Sequence, residues 1–339
     1  MERSSIDEYE TNLKFFEKKG YRVIPLYCKD KEEGLSLSSI DTDIIFVQQP
    51  SVFIKNQRLY NILFNGLVCY IPYGLMVANN NDNHYNTIFN DILWKYFAPN
   101  EIIKDLYLSA NPRVKSDNIF VSGHPKMDRF SSIDNENNSL NQKKKIIIYA
   151  PHHAFEEKSL KYGTFPWNGR EILEYAKRNH QYHFVFKPHP RLKHALVANG
   201  LMTNFEAQNY YEAWSNLPNG EVNNTGDYFD LFNSSSLLIT DCGSFLAEYF
   251  LTDKPVILLK NKESQGYNRF GEKIVESYYL AYEFLDVTKL IEQLLINGYD
   301  PKLVERTEEN YKLIQPSKNT AKSIIEHLIK YKKEKEKGK

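Results

Sequence analysis

Short apolar runs alternate with amphipathic stretches along most of the chain. Each run holds three to five consecutive apolar side chains with little polar alternation, which is typical of parallel strands covered by helices on both faces. In the first part of the chain these runs predict strands at 21–27, 43–48, 66–72 and 118–123. Helical periodicity predicts a helix over 6–19, ended by Gly20, and another over 84–98.

The same alternation restarts after residues 131–145, a polar stretch rich in Ser and Asn that predicts an interdomain linker. The strands predicted beyond it are 146–150, 182–187, 237–240 and 255–259. The helices predicted beyond it are 169–179, 227–233, 244–252, 286–297, 301–313 and 317–333. Two successive strand–helix modules of similar size predict an α/β fold of two Rossmann-like domains facing a cleft.

The pattern also predicts domain boundaries. These are 1–135 for the first domain, 136–315 for the second, and 316–339 for a C-terminal helix with a charged tail. The first domain opens with a helix, so it lacks the opening strand and the first strand–helix loop of such a domain. Either that element is absent or the chain is truncated.

Composition and missing motifs exclude several classes of protein. The 339 residues include 43 basic and 43 acidic side chains, and this zero formal charge argues against a general nucleic-acid binder. The three cysteines form no CxxC pair, as expected in a reducing compartment. No apolar run approaches the ~20 residues that span a bilayer, and no signal peptide begins the chain, so we expect a cytosolic protein. The fingerprints of dinucleotide-binding, P-loop and α/β-hydrolase enzymes do not occur at a suitable place.

Candidate chemistry lies where predicted strands end. The strand that ends at Thr240 is followed directly by a helix, whose first amide groups form a potential anion site. Gly243 permits close approach of a phosphate, and the Ser244 hydroxyl adds a hydrogen-bond donor. Glu248 lies on the same helix face and suits a ribose diol. The alternative is that Asp241 or Ser244 only caps the helix.

A second group of residues follows the strand predicted at 182–187. Lys187, His189 and Arg191 crowd two cations and an imidazole at one strand end, where open α/β sheets bind ligands. Prolines on both sides of His189 stiffen this loop, and Arg and Lys suit phosphate oxygens. A solvated basic turn is the alternative interpretation.

Histidines follow further predicted strands. His152 and His153 are adjacent in sequence, so we expect their side chains to point to different sides and not to share a metal ion. A hydrogen-bonding role and an active-site role both stay open for them, because histidine suits proton transfer near neutral pH. His124, at the end of the first domain, and the pair Tyr73 and Gly74 are candidates for the first-domain side of the cleft.

In their order along the chain, several of these segments resemble one enzyme family. They are GHPKMD (123–128), YAPHH (149–153), FKPHP (186–190), DYFDLF (227–232), ITDCGSFLAEY (239–249) and KPVILL (254–259). In combination they resemble the CDP-glycerol glycerophosphotransferase family of teichoic-acid and capsule biosynthesis, over residues 40–330. The resemblance implies a GT-B-like fold, in which the first domain lies on the acceptor side and the second holds the nucleotide donor.

The resemblance also implies roles for individual residues. His189 corresponds to the family's histidine near the donor phosphates, the loop that begins at Thr240 corresponds to its donor-phosphate loop, and Glu248 to an acidic position at donor hydroxyls. The predicted donor-binding residues are Lys187, Arg191, Thr240, Asp241, Gly243, Ser244 and Glu248. His153 and His189 are the predicted catalytic residues.

The first domain departs from the family pattern. Many relatives carry a Trp-His-Gly segment whose histidine acts as the base, whereas residues 72–74 of this chain read Pro-Tyr-Gly. The resemblance therefore implies that the base is missing from that position. His153, or else His84 or His124, is the candidate for its role; the alternative is that the donor or acceptor differs in this branch. Tyr73, Gly74 and His124 form the predicted acceptor side.

The expected function follows from this resemblance. It is transfer of glycerol phosphate, or a related alditol phosphate, from a CDP-activated donor to a hydroxyl of a cell-surface glycan or teichoic-acid-like acceptor, with release of CMP. The expected partners are this donor and a glycan or lipid-linked glycan; no cofactor, metal or nucleic acid is expected. The expected location is the cytoplasm, with peripheral binding at the inner face of the plasma membrane as an option for the charged tail. Two alternatives stay open: a GT-B glycosyltransferase that uses a nucleotide sugar for capsule or lipopolysaccharide synthesis, and a non-catalytic nucleotide- or glycan-binding subunit.

Overall fold

The computed structural model describes residues 10, 13–23, 42–49, 66–131, 144–156, 160–314 and 319–337. The chain divides into two compact units, Met1–Cys69 and Tyr70–Lys339, and each is described by itself. In the first unit, residues 13–18 are helical, and Gly20 ends the helix with a positive φ of 81°, as predicted. Strands β1 (Ile44–Val47) and β2 (Leu67–Tyr70) match two of the predicted strands.

Three predictions fall wholly or largely outside the described residues. They are the strand at 21–27, the linker at 131–145 and the missing opening strand of the first domain. The predicted boundaries at 135 and 315 also lie there, so the domain limits stay predictions.

The second unit opens with short elements around a pair of parallel strands. They are α1 (Asn81–Tyr85), α2 (Ile88–Asp91), β3 (Lys95–Ala98), α3 (Glu101–Ala110), β4 (Ile119–Val121) and α4 (Asp128–Ser131). Strands β3 and β4 pair in parallel, with Phe97 opposite Phe120. Asn100 caps α3, because its side chain accepts a hydrogen bond from the Ile103 amide.

The prediction of one helix over 84–98 is wrong. Two short helices occupy its first part, and strand β3 occupies its end. Apolar side chains spaced three and four apart imitate a helix in this stretch, but all four residues of β3 are buried and pair with β4. The one polar member, Lys95, is buried as well, and its ammonium donates a hydrogen bond to the Asp117 carbonyl, which offsets part of the cost of burying a cation.

A six-stranded parallel sheet forms the larger part of the second unit. Its strands are β5 (Lys145–Ala150), β6 (Tyr182–Phe186), β7 (Gly220–Val222), β8 (Leu237–Thr240), β9 (Val256–Leu259) and β10 (Tyr279–Ala281). Their order across the sheet is β10-β9-β8-β5-β6-β7, and every pair is parallel. This is the strand order of a Rossmann fold, whose ligands bind where the order reverses, between β5 and β8.

Helices connect these strands and continue beyond them. They are α5 (Phe165–Arg178), α6 (Leu192–Ala198), α7 (Asn204–Ser215), α8 (Phe229–Ser234), α9 (Gly243–Phe250), α10 (Arg269–Glu276), α11 (Phe284–Ile291), α12 (Leu303–Ile314) and α13 (Thr320–Lys337). A π-helical turn, Glu292–Ile296, continues α11. The elements that the sequence analysis did not identify are β3, α3, α4, α6, α7, β7, α10 and β10.

Aromatic side chains fill the layer between the sheet and its helices. Trp214 of α7 is fully buried and stacks on Phe186 of β6, with ring centroids 5.2 Å apart. Tyr149 of β5 stacks on the same ring at 5.8 Å. Much of the high aromatic content therefore lies in this core, where such pairs add to the hydrophobic stabilisation.

A buried arginine fixes α12 against the sheet. Arg306 is 0% exposed; its Nε donates to the Asp253 carbonyl at 2.9 Å, and its guanidinium pairs with the Asp300 carboxylate. Asp300 in turn accepts a hydrogen bond of 2.6 Å from the Tyr279 hydroxyl at the sheet edge. The charge of Arg306 is thus buried but fully partnered.

We expect Arg306→Met to lower the free energy of unfolding by about 3–5 kcal/mol, because it leaves the Asp300 carboxylate without its cation. Chemical denaturation measures this change. The matched control is Lys312→Met on the same helix, which breaks an ion pair with Glu309 whose lysine is 60% exposed and should leave the stability nearly unchanged. Equal losses for the two variants would contradict a structural role for the buried pair.

Candidate active site

Three neighbouring strands bring the predicted chemistry to one edge of the large sheet. Because β8, β5 and β6 are adjacent and parallel, their carboxyl ends meet at the same edge. The segments that follow them begin at Asp241, Pro151 and Lys187. This edge includes the point where the strand order reverses, the usual ligand position in such folds.

The carboxylate of Asp241 ties two of these segments together. Its Oδ1 accepts the backbone N–H of His152 at 2.5 Å, and its Oδ2 accepts the N–H and the hydroxyl of Thr164 at 2.6 and 2.7 Å. Asp241 is only 1% exposed, and burial raises its pKa to about 6 against the opposing effect of these donors. Both of its oxygens are therefore engaged inside the protein.

The hydrogen-bond network continues from Asp241 into the core. Thr164 precedes α5, and its hydroxyl and carbonyl accept hydrogen bonds from Asn168 at 2.9 and 2.6 Å. Asn168 in turn accepts the Tyr149 hydroxyl at 2.6 Å. Each of these side chains has its hydrogen-bond partner, so the network fixes the start of α5 relative to β5 and β8.

Three histidines cluster at the same edge. The ring of His153 stacks on that of His189 with centroids 3.8 Å apart, and His152 lies 4.5 Å from His153 and 5.2 Å from His189. One ring nitrogen from each lies within 4.8 Å of the others, as in a group that can hold a metal ion. The expectation that His152 and His153 point to different sides is therefore wrong, because the loop after β5 turns both rings toward His189.

Backbone hydrogen bonds set the tautomers of two of these rings. The Nδ1 of His152 accepts the Ala154 N–H at 3.2 Å, and the Nδ1 of His189 accepts the Arg191 N–H at 3.1 Å. An Nδ1 that accepts a hydrogen bond carries no proton, so in the neutral ring the proton is on Nε2. Both rings therefore present an N–H donor at Nε2. Among the described residues, the Nδ1 of His153 is buried and without a partner.

Burial keeps the cluster neutral. It lowers the pKa of His152 to about 3 and that of His189 to about 4, and the neighbouring histidines add to both shifts. Burial also lowers the pKa of His153, with a further contribution from the Arg191 cation. At neutral pH the rings are thus uncharged. In this state they can donate hydrogen bonds, or take up a proton during a reaction.

The first turn of α9 follows Asp241. Cys242 precedes the helix without a side-chain cap, and Gly243 opens it. A Cβ added at Gly243 would lie 3.1 Å from the Tyr162 ring and 3.3 Å from Val77, so these side chains would have to move by a few tenths of an ångström to admit it. Thr240 is fully buried, and its hydroxyl donates to Ala150 and accepts from Cys242. Ser244 remains partly exposed.

Lys187 is engaged inside the protein. It is 5% exposed, and its Nζ donates to Asn223 Oδ1 at 3.1 Å and to the Thr225 carbonyl at 2.8 Å. Burial lowers its pKa to about 8. The lysine thereby anchors the loop after β7, which leads to Tyr228.

Glu248 is also engaged. It is 1% exposed, and its Oε1 accepts a hydrogen bond of 2.7 Å from the Lys126 ammonium, while its Oε2 accepts one from the Tyr228 hydroxyl. Lys126 and Lys187 lie 5.2 and 5.3 Å from the Tyr228 ring centroid. This arrangement joins the segment after β4 to helix α9.

The predicted acceptor residues lie beside this ion pair. A Cβ added at Gly74 would be 3.5 Å from Glu248 Oε1, and Tyr73 is 52% exposed. Burial of its ring and the charges of Cys242 and Glu248 raise the pKa of Tyr73, so its phenol stays protonated at neutral pH and is not a base.

His124 holds the neighbouring segment in place. Its Nε2 donates to the Pro72 carbonyl at 2.7 Å, and its Nδ1 accepts the Lys126 N–H at 3.2 Å. The ring is 5% exposed, and burial lowers its pKa to about 4. Both ring nitrogens of His124 are thus engaged in hydrogen bonds with the backbone. His84, the other alternative base, lies beside Tyr85 in α1, where burial lowers its pKa.

Comparison with known proteins identifies the family. The sequence model of the family described as CDP-Glycerol:Poly(glycerophosphate) glycerophosphotransferase matches residues 76–278, which is more than half of the chain. The chain therefore belongs to this family, and the predicted resemblance is confirmed.

Relatives support the same assignment. The chain is 27% identical over 274 residues to the minor teichoic acid biosynthesis protein GgaB of Bacillus subtilis (strain 168). That match covers 73% of this chain and 27% of GgaB, so the chain spans about a quarter of the length of the curated relative it matches.

Solved structures confirm the predicted α/β fold class. The wall teichoic acid polymerase TagF soaked with CDPG is 17% identical, with a TM-score of 0.54 over 87% of this chain and 73% of that one. The UDP-GlcNAc 2-epimerase of Neisseria meningitidis is 20% identical, with a TM-score of 0.55 over 85% of this chain and 76% of that one. None of the helices in the described parts of the chain combines the length and the hydrophobicity of a membrane span.

Sequence reasoning missed several residues of this site. Thr164, Tyr228 and Lys126 were not identified as site residues, and His152 was left without a specific role. Lys126 lies inside the family-like segment GHPKMD, so that segment carried a usable signal. Thr164 had none, because its partner Asp241 is 77 residues away along the chain.

We expect Lys126→Met to lower the free energy of unfolding by about 3 kcal/mol, because it leaves the buried Glu248 carboxylate without its cation. The double variant Lys126→Met/Glu248→Gln should recover part of this loss, since no unpaired charge remains. A double-mutant cycle by chemical denaturation measures the coupling. Additive effects of the two single variants would contradict the ion pair.

Acid should destabilise the protein partly through His124. Its pKa is lower in the folded chain than the usual 6.5, so its contribution to stability is complete above pH 6.5 and is lost as the pH falls toward 4. Between pH 7 and pH 5 the wild type should lose about 2 kcal/mol more than His124→Gln, whose amide keeps a donor for Pro72 but does not titrate. Denaturation curves at the two pH values decide this. Parallel losses would show that His124 titrates normally.

Proposed function

We propose that this chain transfers an alditol phosphate, CDP-glycerol being the first donor to test, to a hydroxyl of a teichoic-acid-like or other cell-surface glycan. The acceptor oxygen attacks the β-phosphorus of the donor and forms a new P–O bond. The bond from that phosphorus to the bridging oxygen breaks, and CMP leaves with this oxygen. Membership of the glycerophosphotransferase family and the likeness to GgaB support this reaction.

One observation carries the proposal. The site stands at the point where a Rossmann-ordered sheet reverses its strand order, and the two adjacent loops there carry His152 and His189, whose Nδ1 atoms accept backbone N–H groups. In such folds a nucleotide diphosphate lies across this point, against a helix N-terminus. Here the helix is α9, and the adjoining loops supply imidazoles.

In this reaction His189 donates its Nε2 proton in a hydrogen bond to the donor diphosphate. The first amides of α9, with Gly243 and Ser244, and the Arg191 guanidinium neutralise further phosphate charge. These groups favour departure of CMP by stabilising the charge that develops on the leaving oxygen.

His153 is the proposed base. Its pKa is lowered, so the ring is neutral at physiological pH, and its Nδ1 has no partner among the described residues. The acceptor hydroxyl gives its proton to His153 as it attacks phosphorus. His153 thus supplies the base that is missing at position 73, where the phenol of Tyr73 stays protonated.

Three residues predicted at the donor take positioning roles in this proposal. The polar atoms of Lys187, Asp241 and Glu248 are bonded within the protein, so they act through the loops that they fix. Lys187 orients the loop to Tyr228, and Asp241 orients the His152 loop. Glu248 holds Lys126 beside the acceptor side.

The acceptor and the place of action belong to the same proposal. A glycan or lipid-linked glycan binds beside Tyr73 and Gly74, where the phenol can donate a hydrogen bond to an acceptor oxygen. A lipid-linked acceptor would place the reaction at the inner face of the plasma membrane. That location stays a prediction.

The test is donor turnover by the purified chain with a glycan or teichoic-acid acceptor. CMP release with CDP-glycerol or CDP-ribitol, and no nucleotide release with UDP- or GDP-sugars, supports the proposal. Turnover of nucleotide sugars alone would support a glycosyltransferase instead, and no turnover of any donor would support a non-catalytic subunit.

His153→Ala should lower the rate of CMP release by about 10²–10⁴-fold, the contribution of a general base. The control is His194→Ala, an exposed histidine on α6, which should leave the rate unchanged. A rate within about threefold of the wild type for His153→Ala would remove His153 from this role.

A further inference from the structure

The histidine cluster offers two chemically different uses. Three ring nitrogens within 4.8 Å of one another suit a metal ion, which needs lone pairs, or an oxyanion, which needs N–H donors. The tautomers decide between these uses. A metal requires an unprotonated nitrogen directed at it, whereas a phosphate oxygen requires a protonated one.

The backbone bonds favour the oxyanion. In His152 and His189 the Nδ1 lone pair is used by the amide two residues later, so the nitrogen left for a ligand is a protonated Nε2. To bind a metal through Nε2, each ring would have to break that bond or lose its last proton. To bind an anion, neither ring has to change.

The electrostatic surroundings point the same way. Arg191 lies close enough to His153 and His189 to lower the pKa of both, and this fixed positive charge attracts an anion and repels a divalent cation. The Asp241 carboxylate bonds to the backbone of this cluster, and its three hydrogen bonds with the His152 amide and Thr164 occupy its oxygens.

We propose that His152 is a second imidazole donor to the donor diphosphate, and that His152 and His189 together bind its oxygens through their Nε2–H groups. The inference rests on the proposed function, because it takes the nucleotide diphosphate as the physiological anion. It adds a substrate-contacting residue in the loop after β5 to the one in the loop after β6. The Asp241 carboxylate positions it by holding the His152 backbone.

Two substitutions separate the hydrogen bond that His152 accepts from the Ala154 amide from the one that we expect it to donate to the phosphate. His152→Asn keeps an oxygen that can accept the Ala154 N–H, as in an Asx turn, but removes the distal donor. His152→Gln restores a distal N–H. The matched control is His194→Asn on the exposed face of α6.

Calorimetric titration with CDP, cytidine and inorganic pyrophosphate measures the effect. His152→Asn should weaken CDP binding by about 10- to 100-fold, as expected for one hydrogen bond to a charged group, and should leave cytidine affinity unchanged. His152→Gln should recover most of the loss, and the control should bind as the wild type does. A titration of the wild type with Zn²⁺ and with chelator should leave CDP affinity unchanged, a result that does not depend on any variant folding.

The outcomes distinguish this inference from the proposed function. CDP binding that is equally tight in His152→Asn overturns the inference and leaves the donor assignment intact. Pyrophosphate binding that is sensitive to His152, without CDP binding, supports the anion site and overturns the donor assignment. Loss of cytidine binding together with CDP binding would reveal a purely structural role. Two further results would overturn the inference. One is that the wild type binds CDP only after it has bound one equivalent of Zn²⁺. The other is that the wild type binds neither CDP nor pyrophosphate.

Discussion

The buried carboxylate of Asp241 accepts three hydrogen bonds, one from the loop after β5 and two from the residue that precedes α5. The rest of the site depends on this junction. It fixes the backbone of His152 and, through Thr164 and Asn168, anchors the start of α5 to the core. Because both carboxylate oxygens accept hydrogen bonds, Asp241 is tolerated at 1% exposure, where a carboxylate without partners would be very costly.

The same local hydrogen bond of a histidine ring occurs in three loops. His124, His152 and His189 each use Nδ1 to accept the amide two residues further along the chain. The same bond has different consequences in different surroundings. In His124 the remaining Nε2–H is consumed by Pro72, and the ring is a structural brace. In the other two rings we assign this proton to phosphate, so that neutral imidazoles act as donors without the desolvation cost of a buried cation.

Much of the fold was predictable from the sequence, because buried parallel strands read as short apolar runs. Strand β8 matches its predicted limits, whereas β3 was mistaken for helix because its apolar spacing fits both periods. The positions of the site loops followed from strand ends. The roles of Asp241 and Glu248 did not, because their partners Thr164 and Lys126 are 77 and 122 residues away, and a sequence pattern does not reveal such contacts.

The central claim is that neutral imidazoles at the β5 and β6 loops present Nε2–H groups to a diphosphate. Nitrogen-15 NMR of the histidine side chains tests it most directly, because it identifies the protonated nitrogen of each ring. We expect the Nε2–H form for His124, His152 and His189, with the resonances of the last two shifting on addition of CDP and those of His124 unchanged. Protonation at Nδ1 in His152 or His189, or CDP-induced shifts confined to other rings, would contradict it.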